Sequence, residues 1–437
     1  MSGGGLFETL LSYLLESVET FPDRRTGSNQ HYSLQDVTRA AFGVFFCQSP
    51  SFLAFQTLMQ QQQGKNNLRS LFGAREIPSD NEIRALLDPV DPALLIPVYQ
   101  RCFGLMIQHK LLDSMRSFAN SLLVALDATG YFYSESIRCP SCMVSHHRDG
   151  RVSYSHAVLL PALVKPETTQ VLALQPEFLS PQAGHDRQDC EYVAAVRWID
   201  AYGPGLSELG ITLLGDDLYS RGELIDRVVQ WELDFIFVVK PSSHKYLYEE
   251  LAGLEKLGEI HSLHKRGWTG RAHRDYQYRW VNGVGLSSEK DSPLINWVEL
   301  QILDEQGKVT FHNAWCTSHR INEENVLALV EAARCRWKIE NEDINTLKTK
   351  GYHFQHNFGH GQQYLSQTLL SLNLLAFLFH TLLELLDKRC ALLRSTLPRR
   401  DTFFQHISTL TQYLCFDSWT HLLLFMLKGL NLSDPDG

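Results

Sequence analysis

Ser121-Leu122-Leu123-Val124-Ala125-Leu126-Asp127 is the stretch on which the fold turns. Its apolar run is short and continuous, and it stops at an aspartate. Such a run predicts a buried strand. Ile211-Thr212-Leu213-Leu214-Gly215-Asp216 repeats the pattern and also ends in an aspartate. Between and beyond them lie strand patterns at 154–164, 171–174 and 235–239. Helical spacing recurs at 190–202, through Val193, Val196, Trp198 and Ile199, and at 221–233. The order is β-β-β-α-β-α-β. Strands alternating with helices predict an α/β layer with a sheet in the middle.

Working outward, residues 1–115 read mostly helical, with apolar residues at helical spacing in 6–18, 37–46 and 95–112. Turn chemistry separates them, as in Ile77-Pro78-Ser79-Asp80, where Ser79 or Asp80 caps a helix beginning near Asn81. Gln60 to Gln63 form a short glutamine run. Residues 241–318 break the α/β rhythm. Strands are expected at 276–286, 297–303 and 308–315, with turn signals at Asn282-Gly283 and Glu305-Gln306-Gly307. From Asn322 the chain reads helical to about Lys350, and again over 362–393 and 403–427.

The 437 residues are 44% hydrophobic and 20% charged, which excludes wholesale disorder. The 40 Lys+Arg against 49 Asp+Glu leave a net charge of −9, unlike a protein that coats nucleic acid. Local DNA contact stays open. Residues 331–400 run the other way, with Arg334, Arg336, Lys338, Lys348 and Lys350 on or just after one helix. Nine scattered cysteines fit reduced thiols in a cytosol. No positive n-region precedes the first apolar run, so no secretory leader is expected. Leu365–Leu386 is the most apolar stretch, but Ser366, Gln367, Asn373, His380 and Glu384 interrupt it. It reads as a buried helix, with no membrane association.

Asp127 and Asp216 follow strands, where open α/β sheets bind ligands. Each could simply cap a turn. Two carboxylates converging on one point repel unless a cation lies between them, and Mg²⁺ or Mn²⁺ suits oxygen ligands. The stretch Arg336-Trp337-Lys338-Ile339-Glu340-Asn341-Glu342 adds a third. On an α-helix, Ala333, Trp337, Ile344 and Leu347 fall within roughly 60° of Glu340, and Glu342 points away. Glu340 therefore lies on the stripe facing the core and needs a partner, whether a metal or Arg336. Three carboxylates around a sheet suggest a two-metal phosphoryl-transfer site.

Taken together, the blocks Leu126-Asp127-Ala128-Thr129-Gly130-Tyr131-Phe132, Leu214-Gly215-Asp216-Asp217-Leu218-Tyr219-Ser220 and Arg336 to Lys348 resemble the DDE transposases of bacterial insertion sequences. So do Phe21-Pro22-Asp23-Arg24, Asp189-Cys190-Glu191, Val239-Lys240-Pro241 and Asn357-Phe358-Gly359-His360-Gly361. The resemblance covers nearly the whole chain and extends to the ribonuclease H-like/retroviral-integrase superfamily. It implies an α/β, ribonuclease H-like catalytic core over 116–240, completed by a catalytic helix at 321–360. It further implies a β-rich insertion at 241–320 that covers the site. A helical N-terminal region, 1–115, would bind DNA ends or support assembly, and a helical C-terminal region would span 361–437.

Asp127, Asp216 and Glu340 become the expected catalytic, metal-binding triad for two Mg²⁺ or Mn²⁺ ions, with Asp217 the rival of Asp216. Arg336 and Glu340 keep the family's spacing. Ala333 stands where the related branch has tyrosine, and Lys348 lies one residue beyond the family's lysine position. Arg336, Lys338, Lys348 and Lys350 are the expected DNA contacts. The implied activity is metal-dependent cleavage of transposon ends and transfer of their 3′-hydroxyls into target DNA. Its partner is double-stranded DNA, held by a dimer or higher assembly in a bacterial cytoplasm. The alternatives are an inactive DNA-binding derivative and a nuclease of the same fold that does not join strands.

Cys139-Pro140-Ser141-Cys142 is a single CxxC. His146, His147, His156 or Cys190 could complete a zinc site, but a reduced pair at a hairpin is the plainer expectation. His353, His356 and His360 read as polar loop histidines near DNA.

Overall fold

The computed structural model describes residues 5–26, 31–59, 66–181 and 189–437. The glutamine run at 60–63 lies outside the described residues. Among the described residues eleven strands form one sheet: β1 (Leu122–Ser134), β2 (Met143–His146), β3 (Val152–Val164), β4 (Leu172–Ala173), β5 (Glu177–Leu179), β6 (Ile211–Gly215), β7 (Asp234–Val238), β8 (His261–Trp268), β9 (His273–Gly285), β10 (Leu294–Leu303) and β11 (Val309–Thr317). Their order is β2-β3-β1-β6-β7-β11-β10-β9-β8, and β4 and β5 also pair with β3.

β1, β6 and β7 run parallel, side by side. Helices Glu191–Leu206 and Gly222–Gln230 make the crossovers that parallel neighbours require. Leu122 to Leu126 are fully buried, as an unbroken apolar run demands of a strand covered on both faces. β3 flanks β1 antiparallel, and β11 flanks β7 antiparallel.

β1 does not stop at Asp127, as its apolar run suggests. It continues to Ser134, because β3 goes on pairing after β6 has ended. Asp127 thus stands where two-sided pairing gives way to one-sided pairing. A bulge between Gly130 and Phe132 then leaves Tyr131 unmatched.

The strands of 261–317 extend the central sheet through the β7–β11 pairing. The sequence reading missed β8, a polar edge strand that is mostly exposed, and the helix Lys245–Leu257. Asn282-Gly283 is a bulge inside β9 rather than its turn. Gly283 takes φ +76°, and Asn282 exchanges hydrogen bonds with the backbone of Ile321. The turn expected at Gly307 is present, with φ +78°.

The helices at the two ends of the chain pack together. Phe7, Phe46, Phe72 and Trp419 form one aromatic cluster. Each such buried ring stabilises the fold by about 1.5–3 kcal/mol. Leu365–Leu386 is long and apolar enough to cross a membrane, yet 83% of its apolar window is buried inside the fold. Its polar residues bond to neighbouring segments. Thr368 Oγ1 donates to Val90 O, and Asn373 Nδ2 to Tyr352 O. Tyr352 Oη and His380 Nδ1 lie 2.7 Å apart. The continuous helices expected at 362–393 and 403–427 are each broken. Asp387 caps a new helix at Lys388–Thr396, and a second gap separates Arg400–Tyr413 from Trp419–Gly429.

Candidate active site

The fold brings Asp216 and Glu340 within electrostatic reach of Asp127, beyond the carboxyl end of β6, where open α/β sheets form their ligand crevice. The β1–β6 pairing ends at Ala125 opposite Leu214. Asp127 and Asp216 each follow two residues after this last pair, Asp216 just past the end of β6. Burial pushes the Asp127 carboxyl up to about 7, reinforced by the charges of Glu191, Glu340 and Asp216 and opposed by Arg336. These groups are thus close enough to feel one another.

Asp216 also acts as the turn cap considered from sequence, since its Oδ1 accepts from Leu218 N–H at 2.8 Å. The rival Asp217 is engaged elsewhere. It accepts from Lys240 N–H at 2.6 Å and from Ser243 Oγ at 2.5 Å, with His244 Nε2 3.7 Å away. Those bonds anchor the segment after β7.

Glu340 does not sit on a regular α-helix. The helix Val326–Arg334 breaks at Cys335 and Arg336, and Ile339–Ile344 forms a wider π-helical stretch before Asn345–Thr349 resumes. This break overturns part of the stripe expected from 100° steps. Ala333, Ile344 and Leu347 are buried, but Trp337 is 64% exposed. Asp343 is buried, and among the described residues neither of its oxygens is hydrogen-bonded. Burial alone pushes its carboxyl up to about 7. Wide turns of this kind often occur at functional sites. Arg336 Nη2 pairs with Glu340 Oε1 at 2.7 Å, the ion pair anticipated from their spacing.

A fourth carboxylate joins the crevice. Glu191 opens the helix Glu191–Leu206, and its Oε1 accepts from the buried Tyr219 hydroxyl at 2.6 Å. It also accepts a backbone bond from Ala128, beside Asp127. Burial raises its carboxyl, with the Asp216 charge adding to the effect. The block Asp189-Cys190-Glu191 was visible in the sequence, but nothing in its spacing linked Glu191 to the triad. Its neighbour Asp189 is structural, forming two hydrogen bonds with Arg197 at 2.8 and 3.0 Å.

The expected DNA contacts divide. Lys348 Nζ donates to Thr129 Oγ1 at 2.6 Å, two residues along β1 from Asp127 and on the same face. Lys338 Nζ donates to Thr168 O, and Lys350 is exposed. A cleft of about 630 Å³ opens beside this stretch. It is lined by Arg334, Arg336, Trp337 and Lys338 on one side and by Phe311, Asn313 and Trp315 of β11 on the other. Several cations further along serve the fold instead. Arg389 bonds Asp434, Lys388 pairs with Asp436, and Arg394 and Arg400 pair with Glu384.

Of the candidate partners for Cys139 and Cys142, the fold selects His156. His146 is exposed, His147 bonds Ser153 Oγ at 2.8 Å, and Cys190 is exposed at the start of its helix. His360 is 8% exposed and lies against Cys142, so it is not the open loop histidine expected from sequence.

No protein-family model and no curated protein matches the chain.

Proposed function

We propose that this protein is a DNA transposase of the DDE type, built on a ribonuclease H-like core. The observation that carries the reading is the convergence of Asp127, Asp216 and Glu340, from β1, the end of β6 and the π-helical stretch. The strand order supports it. An antiparallel β-block precedes two helix-linked strands parallel to β1, with the β8–β11 extension placed before the glutamate.

The residues suit divalent ions. The donors are carboxylate oxygens, and burial, with the neighbouring carboxylate charges adding to it, holds Asp127 partly protonated near neutrality. Asp127, Asp216 and Glu340 would hold the ions, with Glu191 near enough to assist. When bound, Mg²⁺ or Mn²⁺ supplies charge stabilisation to the attacking and leaving oxygens of an in-line phosphoryl transfer. Arg336 orients Glu340 and offsets part of the negative charge. Tyr219 and the Ala128 backbone hold Glu191 in place. Lys348 extends along the Asp127 face of β1, where a phosphate would pass. The cleft beside Trp337 offers an aromatic face among three cations, a combination that holds unstacked bases and backbone.

The test is an assay of end cleavage and strand joining. End DNA comes from inverted repeats bordering the coding sequence, with a supercoiled target and Mg²⁺ or Mn²⁺. The wild-type chain should nick the ends and join pre-cleaved 3′-hydroxyls to the target. Nicking without joining would point to a nuclease. End binding without either reaction would point to a DNA-binding derivative. Full cleavage by Asp216→Ala would refute the triad.

A further inference from the structure

We propose that Cys139, Cys142, His156 and His360 form a structural zinc site that ties the β1–β3 hairpin to the segment following the Glu340 stretch. It stands apart from the carboxylate crevice and does not depend on the reading of that crevice as a transposase site.

Their four ligand atoms all lie within 4.8 Å of one another. The two sulfurs are 3.7 Å apart. His156 Nε2 lies 3.4 Å from Cys139 Sγ and 3.5 Å from Cys142 Sγ, and His360 Nε2 lies 3.4 Å from Cys142 Sγ. A tetrahedral zinc with Zn–S of about 2.3 Å and Zn–N of about 2.0–2.1 Å sets edges of about 3.8 Å between sulfurs and about 3.5 Å between sulfur and nitrogen. These four distances match those edges.

The surroundings suit a metal rather than a set of hydrogen bonds. His156 is 1% exposed, Cys142 2% and His360 8%. Among the described residues neither imidazole Nδ1 has a hydrogen-bond partner, so each ring's polar contacts run through Nε2 to the cluster. Tyr131 stacks on His156 with ring centroids 5.5 Å apart, and Phe132 lies 4.3 Å from His360. Without an ion, two buried imidazoles would present their Nε2 atoms to thiols, which are weak hydrogen-bond donors. Burial favours the neutral form of both rings, which is the form that ligates. Zinc binding would displace the two thiol protons to solvent and form two Zn–S and two Zn–N bonds. Four protein ligands close the coordination sphere, which marks a structural rather than a catalytic ion.

The topology explains what the ion would do. Cys139 and Cys142 lie in the loop between β1 and β2, His156 is on β3, and His360 follows the π-helical stretch and the helix Asn345–Thr349. The bulge at Tyr131 aims that ring at the cluster. One ion would join the strand bearing Asp127 to the segment that fixes the end of the Glu340 stretch.

The test uses the full chain, purified without added metal and passed through a chelating resin. Metal analysis should find about one zinc per chain. Replacement by Co²⁺ should give the visible absorption of a tetrahedral thiolate site. Cys142→Ser and His360→Ala should each lose the metal, while Cys190→Ser should keep it. Because those variants could misfold, thiol protection in the wild-type chain provides a second readout. Cys139 and Cys142 should resist alkylation until a strong chelator is added and regain protection with Zn²⁺. A wild-type chain that takes up no zinc, or a Cys142→Ser chain that retains it, would overturn the proposal. So would alkylation of both cysteines at the same rate with and without chelator.

Discussion

Asp127 on β1 and Asp216, one residue past the end of β6, each follow two residues after the last paired positions, Ala125 and Leu214. The strand pairing just before them brings the Asp216 charge within reach of Asp127, where it adds to the effect of burial. Replacing either by alanine relieves the repulsion between them, and neither change should unfold the chain. Asp127→Ala, Asp216→Ala and Glu340→Ala should each lower end cleavage by at least about 10³-fold, about 4 kcal/mol of transition-state stabilisation. End binding in gel-shift assays should stay within a few-fold of wild type. Loss of binding together with cleavage would count against a catalytic role.

Burial, and then its carboxylate neighbours, push the Asp127 carboxyl up to about 7. A divalent ion must displace the carboxyl proton below this pH. Mg²⁺ or Mn²⁺ affinity, measured by calorimetry, should rise with pH up to about 7 and then level off. Proton release on binding should be visible below that point and absent well above it. Asp127→Asn should flatten the pH dependence.

Asp343 carries the clearest signature in stability. Its folded value, about 7, lies above the unfolded 3.8. The folded chain therefore holds a proton that the unfolded chain loses across this interval. The contribution is complete below about pH 4 and is lost as pH rises to about 7. Asp343→Asn should abolish this slope, which amounts to about 2–3 kcal/mol between pH 5 and pH 8. Urea unfolding of both proteins at the two pH values measures it. Parallel behaviour would show that Asp343 is solvated in the folded state.

Tyr219→Phe removes the hydroxyl that donates to Glu191. The expected cost is about 1.5–3 kcal/mol of stability, the usual worth of a hydrogen bond to a charged group. Glu191 would then hold its proton to higher pH, so the acid limb of the cleavage profile should move upward. A profile unchanged in position would place Glu191 outside the reaction.

Salt dependence separates DNA contacts from structural cations. Lys350 is exposed, whereas Arg389 is engaged by Asp434. Lys350→Ala should reduce the slope of log binding constant against log salt by about 0.9, the value for one phosphate contact. Arg389→Ala should leave the slope unchanged and lower the melting temperature. Trp337→Ala should weaken binding to frayed or single-stranded ends by about 1–3 kcal/mol, the worth of one stacked base.

Much of the architecture is legible along the chain because it rests on local pattern. The strand Ile211–Gly215 and the helix Leu6–Val18 fall where apolar periodicity places them. The Ser79 cap is also local, its Oγ accepting from Glu82 N–H at 3.2 Å. β8 escaped notice because an exposed edge strand has no apolar alternation to betray it. Asn282-Gly283 misled because positive φ serves a bulge as readily as a hairpin turn. The Glu340 helix misled because the break at Cys335 and Arg336 and the π-helical turns after it depart from 100° steps, leaving Trp337 exposed while Ile344 and Leu347 stay buried.

The site divides in the same way. The sequence alone determined the candidate carboxylates Asp127, Asp216 and Glu340, since each sits in a recognisable local pattern. It also offered Cys139 and Cys142 as a pair. Tertiary structure alone showed that hydrogen bonds from Lys240 and Ser243 hold Asp217, while the charge of Asp216 reaches Asp127. It alone supplied Glu191, through Tyr219 and the Ala128 backbone, and His360, which lies 218 residues from Cys142 along the chain. Local periodicity records which face of an element is buried. Only the completed sheet, with its register and crossovers, fixes which distant side chains share a point in space.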